Sequence, residues 1–164
     1  MAPDPPIRRH CRLRRAGSDD DGRMTIPTYE QARLEPLLTD AAIERRVDAL
    51  IGRASRRALW LLFLDDDQVQ LPLLIPVDHL PAELPDDGAG QFAMAVHDTA
   101  RTVGGTWVIF VIEELHGPGI TSRDRDWARA IHSACDREGM PVRGILLSHR
   151  DGVRWIPRDD YRAL

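Results

Sequence analysis

Apolar and polar residues fall along this chain in blocks whose spacing predicts alternating helices and strands. The most legible block runs from Thr106 to Met140. Trp107, Val108, Ile109, Phe110, Val111 and Ile112 form an uninterrupted apolar run, rich in the β-branched and aromatic side chains of a strand covered on both faces. Gly104-Gly105 precede it and Gly117-Pro118-Gly119 follow it. Thr121, with Asp124 three residues on, predicts a capped helix start. Trp127, Ile131, Ala134 and Cys135 then share one helical face, while Arg129, His132, Asp136 and Arg137 point elsewhere. Gly139 and Pro141 predict the stop.

The same reasoning places the other elements. Thr39 can cap a first helix reaching towards Ser55, with Ile43, Val47, Leu50, Ile51 and Ala54 as its inner stripe and Arg45, Arg46 and Asp48 on the solvated side. Ala58 to Leu64 reads as a second two-sided strand. Asp65-Asp66-Asp67-Gln68 turns the chain, and Val69 to Val77 returns antiparallel, with Pro72 predicting an edge or a bulge. Asp78 to Gly90 reads as a Pro/Asp/Gly loop, followed by a helix over Gln91 to Val103 with Phe92, Val96, Ala100 and Val103 inward. Val142 to Leu147 is a further strand, Ser148 to Gly152 a turn, and Val153 to Ile156 a short last strand. The predicted fold is α/β: one domain, a mixed sheet of about five strands with helices packed on its faces, in the order α-β-β-α-β-α-β-β.

Composition narrows the setting. The chain has 164 residues, 22 of its side chains are basic and all of those are arginine, and its formal net charge is −4. That balance gives no reason to expect nucleic acid or an anionic membrane as partner. No apolar run approaches the length of about 18 residues needed to cross a bilayer, and the start lacks the apolar core of a secretory signal. A cytoplasmic location is the expectation. Cys11 and Cys135 do not suggest a disulfide framework. Met1 to Arg23 differs from the rest: three prolines, then Arg8, Arg9, Arg12, Arg14 and Arg15, then Asp19 to Asp21. It predicts a disordered tail outside a domain spanning residues 24–164, or translation from a start upstream of Met24. As a basic arm, it is also the one segment that would suit nucleic acid.

Candidate chemistry gathers in the loop between Glu113 and Asp124. Glu114, His116 and Asp124 are residue types that bind a divalent metal. The alternative is that Asp124 caps its helix, Glu113 and Glu114 solvate a strand end, and His116 is a loop residue. Ser148, His149 and Asp151 carry the letters of a hydrolase triad, but neighbours in one turn seldom adopt its geometry. Cys135 sits on a core stripe, where a thiol is inert. His97 borders the inner face of its helix. Of Trp60, Trp107, Trp127 and Trp155, most suit a core; Trp155, on the short last strand, could lie exposed and serve self-association.

Several of these marks resemble the RadC-like branch of the JAB/MPN metallohydrolase fold. They are the Leu64-Asp65 turn after a strand, Glu114-Leu115-His116-Gly117-Pro118-Gly119 after the buried strand, Ile120 to Asp124 at a helix start, and Gly139-Met140 at its end. The resemblance implies a zinc site with His116 and Asp124 as ligands and Glu114 in place of the first histidine. It also implies a general base before the first strand, where this chain reads Ser55-Arg56-Arg57. The family's Asp-His pair on the strand after the helix is replaced by Gly144-Ile145. Zinc hydrolysis needs three ligands, an open position and a base. The chain also resembles a group of small actinobacterial proteins with no assigned activity, through Trp60 to Leu64, Leu73 to Leu80, Asp124 to Ala130 and Ser148 to Trp155. The expectation is a non-catalytic binding or structural domain without a cofactor, self-associating as a homodimer or engaging a protein partner. The alternatives are a zinc-dependent hydrolase with an altered ligand set, and a nucleic-acid accessory protein acting through its arginine-rich tail.

Overall fold

A computed structural model describes residues 35–162. The readings for Met1 to Arg23, Cys11 and Met24 lie outside the described residues. The elements follow in the order α1 (Asp40–Leu50), β1 (Ala58–Leu64), β2 (Gln70–Val77), α2 (Asp86–Val103), β3 (Trp107–Glu113), α3 (Ser122–Arg137), β4 (Val142–His149) and β5 (Gly152–Trp155), with a 3-10 turn at Arg158–Asp160. The strands form a single sheet ordered β2-β1-β3-β4-β5. Only β3 and β4 run parallel; the other neighbours are antiparallel. The α/β class, the mixed five-stranded sheet and the element order are those expected from the hydrophobic pattern.

The uninterrupted apolar strands occupy the middle because both of their faces are covered. Along β3, Val108, Phe110 and Ile112 enter the cluster formed with α2 and α3, while Ile109 and Val111 enter the cluster beneath α1. β1 divides the same way: Leu59, Leu61 and Phe63 on one side, Leu62 and Leu64 on the other. Alternation at a period of two on a two-sided strand produces two separate cores from one run. Pro72 lies on β2, an edge strand, as its missing donor requires.

Several boundaries differ from the sequence reading. α2 begins at Asp86, inside the segment read as loop; Asp86 and Asp87 favour its positive N-terminal end, and buried Ala89 and Ala93 outweigh the cost of Gly88 and Gly90. β3 extends through Glu113 and β4 through His149, because Glu113 pairs with Ser148 in the parallel ladder. Ser148 and His149 are therefore strand residues, and only Arg150 and Asp151 form the turn. α1 ends at Leu50, so Leu50, Ile51 and Ala54 are only half-buried. Arg46, read as solvated, is buried instead. Its guanidinium donates to Gln70 Oε1 at 2.9 Å and pairs with Glu35 at 3.4 Å, because β2 reaches under the helix.

Two glycines show why this residue is used. Gly139 takes φ 69 to close α3, a conformation costly for residues with a Cβ. At Gly144 the constraint is space: a Cβ there would overlap the Trp155 ring. That ring is half-exposed, stacks beneath the Arg143 and Arg158 guanidinium groups and donates from Nε1 to Asp40 O at 3.2 Å. Both arginines also pair with the Asp40 carboxylate, so β4, β5, α1 and the 3-10 turn meet on one aromatic ring. Gly144→Ala should displace the ring and destabilise the protein by about 1–3 kcal/mol, read as a lowered urea midpoint with an unchanged slope.

Candidate functional site

Parallel pairing of β3 and β4 brings their carboxyl ends side by side, and the N-terminus of α3 follows from the loop after β3. In open α/β sheets this is the end at which ligands bind. Here it holds Glu113, Glu114, His116, Asp124, Ser148 and His149.

Glu113, the last residue of β3, is 2% exposed. Its Oε1 accepts from Ser55 N–H at 2.7 Å, Arg56 N–H at 3.2 Å and the Ser55 hydroxyl at 3.3 Å, and its Oε2 accepts from Trp60 Nε1 at 2.8 Å. The carboxylate is therefore a structural clamp that draws the segment before β1 onto the end of β3. Its expected role of solvating a strand end is corrected by this burial. Arg56 also stacks over Trp60 and pairs with Asp78 at 3.1 Å.

Glu114 is likewise largely buried, and its carboxylate meets Arg57 at 3.2 Å and Arg123 at 3.9 Å. Burial, reinforced by the Asp124 charge, raises its pKa, and Arg57 opposes the shift. Its backbone N–H extends the ladder to Ser148 O.

Asp124 and Thr121 make the capping box that their spacing predicts. Thr121 Oγ1 accepts from Asp124 N–H at 3.2 Å, and Asp124 Oδ2 accepts from Thr121 N–H at 2.8 Å. The same carboxylate lies 3.1 Å from His116 Nε2, while His116 Nδ1 lies 2.7 Å from Gly117 O. Both acceptors are oxygens, so the ring satisfies both contacts only by donating from both nitrogens, as an imidazolium does. Burial lowers the His116 pKa, but the Gly117 carbonyl and the Asp124 carboxylate outweigh it, and the net direction is upward.

The structure thus brings His116 and Asp124 together and holds Glu114 on arginines. Among the described residues, no three His, Cys, Asp or Glu side chains are grouped to hold a metal ion. In this arrangement the donor set does not converge as zinc ligands: the two His116 ring nitrogens face Asp124 and Gly117 O, Asp124 is held in its helix cap, and Glu114 faces Arg57. The triad letters do not assemble either. The Ser148 hydroxyl donates to Gly52 O at 2.6 Å, and His149 Nδ1 accepts from Asp151 N–H at 3.2 Å. Burial lowers the His149 pKa, with help from Arg154 and His116. Cys135 is fully buried, and that burial pushes its thiol up to about 12, consistent with an inert core position. Trp127 is buried, while Trp60, Trp107 and Trp155 are half-buried against the sheet; His97 is also half-buried. The aspartate run forms a turn, with Asp65 Oδ1 accepting from Asp67 and Val69 N–H, both at 2.9 Å.

Arg57, Arg123 and the clamp on Glu113 were missed in the sequence. The available signal was a carboxylate directly ending a two-sided apolar run, a position that demands partners when buried.

The fold and this strand-end cluster define an α/β domain with a mixed five-stranded sheet and a self-paired polar end. Comparison with protein-family models, curated proteins and solved structures finds no match for the chain.

Glu113→Ala removes the acceptor shared by partly buried donors from three residues and should cost about 3 kcal/mol, measured by urea unfolding, with a shift in Trp60 emission. For His116, a raised folded-state pKa means that its stabilisation is complete below its unfolded value and is lost as pH rises through the folded value. His132 and His149 have lowered pKa values and act in the opposite sense. Urea midpoints measured from acid to mildly alkaline pH should therefore differ most between wild type and His116→Ala at the acid end, and converge as pH rises.

Proposed function

We propose that this domain is a non-catalytic binding or structural module, related to the JAB/MPN-like fold and self-associating. The observation that carries the reading is the pairing of its strand-end charges within the chain. Glu114 faces Arg57, Asp124 serves the helix cap and His116, and Glu113 is taken up by Ser55, Arg56 and Trp60. A metallohydrolase of this architecture would need an open coordination position and a base able to take a proton from water. Here an arginine stands in the segment where the resemblance calls for that base. A protonated arginine cannot act as one.

The sheet edges support self-association through β5. Pro72 and Pro76 remove two donors from the β2 edge. On the other edge, Ile156 N–H donates to Ile145 O, and the pairing register turns the Val153 and Trp155 backbone groups away from β4. Two copies could pair there as antiparallel strands. Sedimentation of wild type and Val153→Pro, alongside zinc content and peptide hydrolysis of protein purified without chelator, tests the reading. A dimer weakened by the substitution, without stoichiometric zinc or hydrolysis, is the expected outcome. Stoichiometric zinc lost on His116→Ala, with hydrolysis abolished by Asp124→Asn, would overturn it in favour of an altered metallohydrolase.

A further inference from the structure

We propose that the cavity beneath the segment joining β2 to α2 is a binding site for a small apolar ring. The cavity measures about 130 Å³ and is walled by Leu59, Val77, Leu80, Leu84, Phe92 and Trp127. These residues come from β1, β2, the joining segment, α2 and α3, so the site exists only in the folded domain. Its polar fringe is limited to Asp78 and His79, both exposed. An apolar cavity of about 150 Å³ in another protein stays dry and takes up benzene or xenon, because water finds too few polar partners there. The present pocket is close to that size and is walled mainly by apolar side chains, with its mouth open to solvent at Asp78 and His79. A single six-membered ring, unsubstituted or carrying one small group, is the ligand class that fits.

The segment from Asp78 to Leu84 acts as a strap over this space. Its second residue, His79, takes a left-handed conformation at φ 58. Three side chains hold it. Arg123 Nη2 donates to Pro81 O at 3.3 Å, Trp127 Nε1 donates to Ala82 O at 3.4 Å, and Arg56 pairs with Asp78 at 3.1 Å. These are long or partly exposed contacts, weak enough to open locally while the sheet stays intact. Trp127 both walls the cavity and ties down the strap, so a ligand entering the site must be felt at its indole N–H. The proposal goes beyond the strand-end reading and does not depend on it, since a ring in this cavity needs neither a metal nor a base.

The test uses the whole chain labelled with nitrogen-15 and titrated with benzene, with the assigned indole N–H resonances observed. The chain has four tryptophans. The Trp127 signal should shift saturably, together with the Ala82 and Leu84 amides, while Trp107 and Trp155 stay in place. Val77→Phe, which fills the cavity from the edge strand, should abolish the shift in a protein that still melts cooperatively. Leu84→Ala enlarges the space and should admit indole as well. Wild-type protein showing no saturable shift up to the solubility limit of benzene overturns the proposal, whatever the variants do. An undiminished shift in folded Val77→Phe overturns it too, since the ring would then be bound elsewhere. Stoichiometric zinc would defeat the non-catalytic reading and leave this result unaffected.

Discussion

The buried Glu113 carboxylate is the interaction that most constrains how the sheet is entered. A charge at the end of a two-sided strand is tolerable only when hydrogen bonds replace its lost hydration. Ser55, Arg56 and Trp60 supply them. The chain leaving α1 must therefore arrive at the end of β3, and β1 must start beside it, with Ala58 opposite Glu113. Gly52 and Ala54 reinforce the same approach by bonding to the end of β4: Gly52 O accepts from the Ser148 hydroxyl, and Ala54 N–H donates to His149 O. One carboxylate and a short loop thus join three strand ends and the exit of the first helix.

The charges next to Glu113 continue this pattern. Arg57, adjacent to the clamped segment, is carried onto Glu114; Arg123, from the first turn of α3, reaches both Glu114 and the strap over the apolar cavity. Asp124, one residue on, holds the helix cap and His116. The loop from Leu115 to Ile120 is fastened at both ends, and Arg154 adds a bond from β5 to Pro118 O. Most polar groups at the usual ligand end of the sheet are engaged as fasteners, the buried Arg123 Nε having no hydrogen-bond partner among the described residues, whereas the apolar space lies to one side, between the sheet edge and the helices.

Much of the fold was legible because the signals were local. β1 appeared as Ala58 to Leu64 because seven consecutive apolar residues leave no polar position for solvent. The α3 cap was readable because Thr121 and Asp124 satisfy each other within one turn. α2 was misjudged at its start, where Gly88 and Gly90 argue locally for a loop and only the packing of Ala89 and Ala93 argues for helix. Arg46 was misplaced for a related reason: its partner Gln70 is 24 residues away in sequence, across a hairpin.

The sequence by itself determined the elements, their order and their two-sided or one-sided character, since periodicity and capping act within a few residues. It also determined which residues could carry chemistry. Only the tertiary structure decided what those residues do. Whether Glu114 is a free carboxylate or an arginine's partner depends on Arg57, which arrives from a different element. Whether His116 can offer a lone pair depends on the oxygens of Asp124 and Gly117 around its ring. Whether Gly144 replaces a functional residue or simply makes room depends on Trp155, which reaches it from the neighbouring strand. Each is a contact between segments distant in sequence, and no pattern along the chain encodes its geometry.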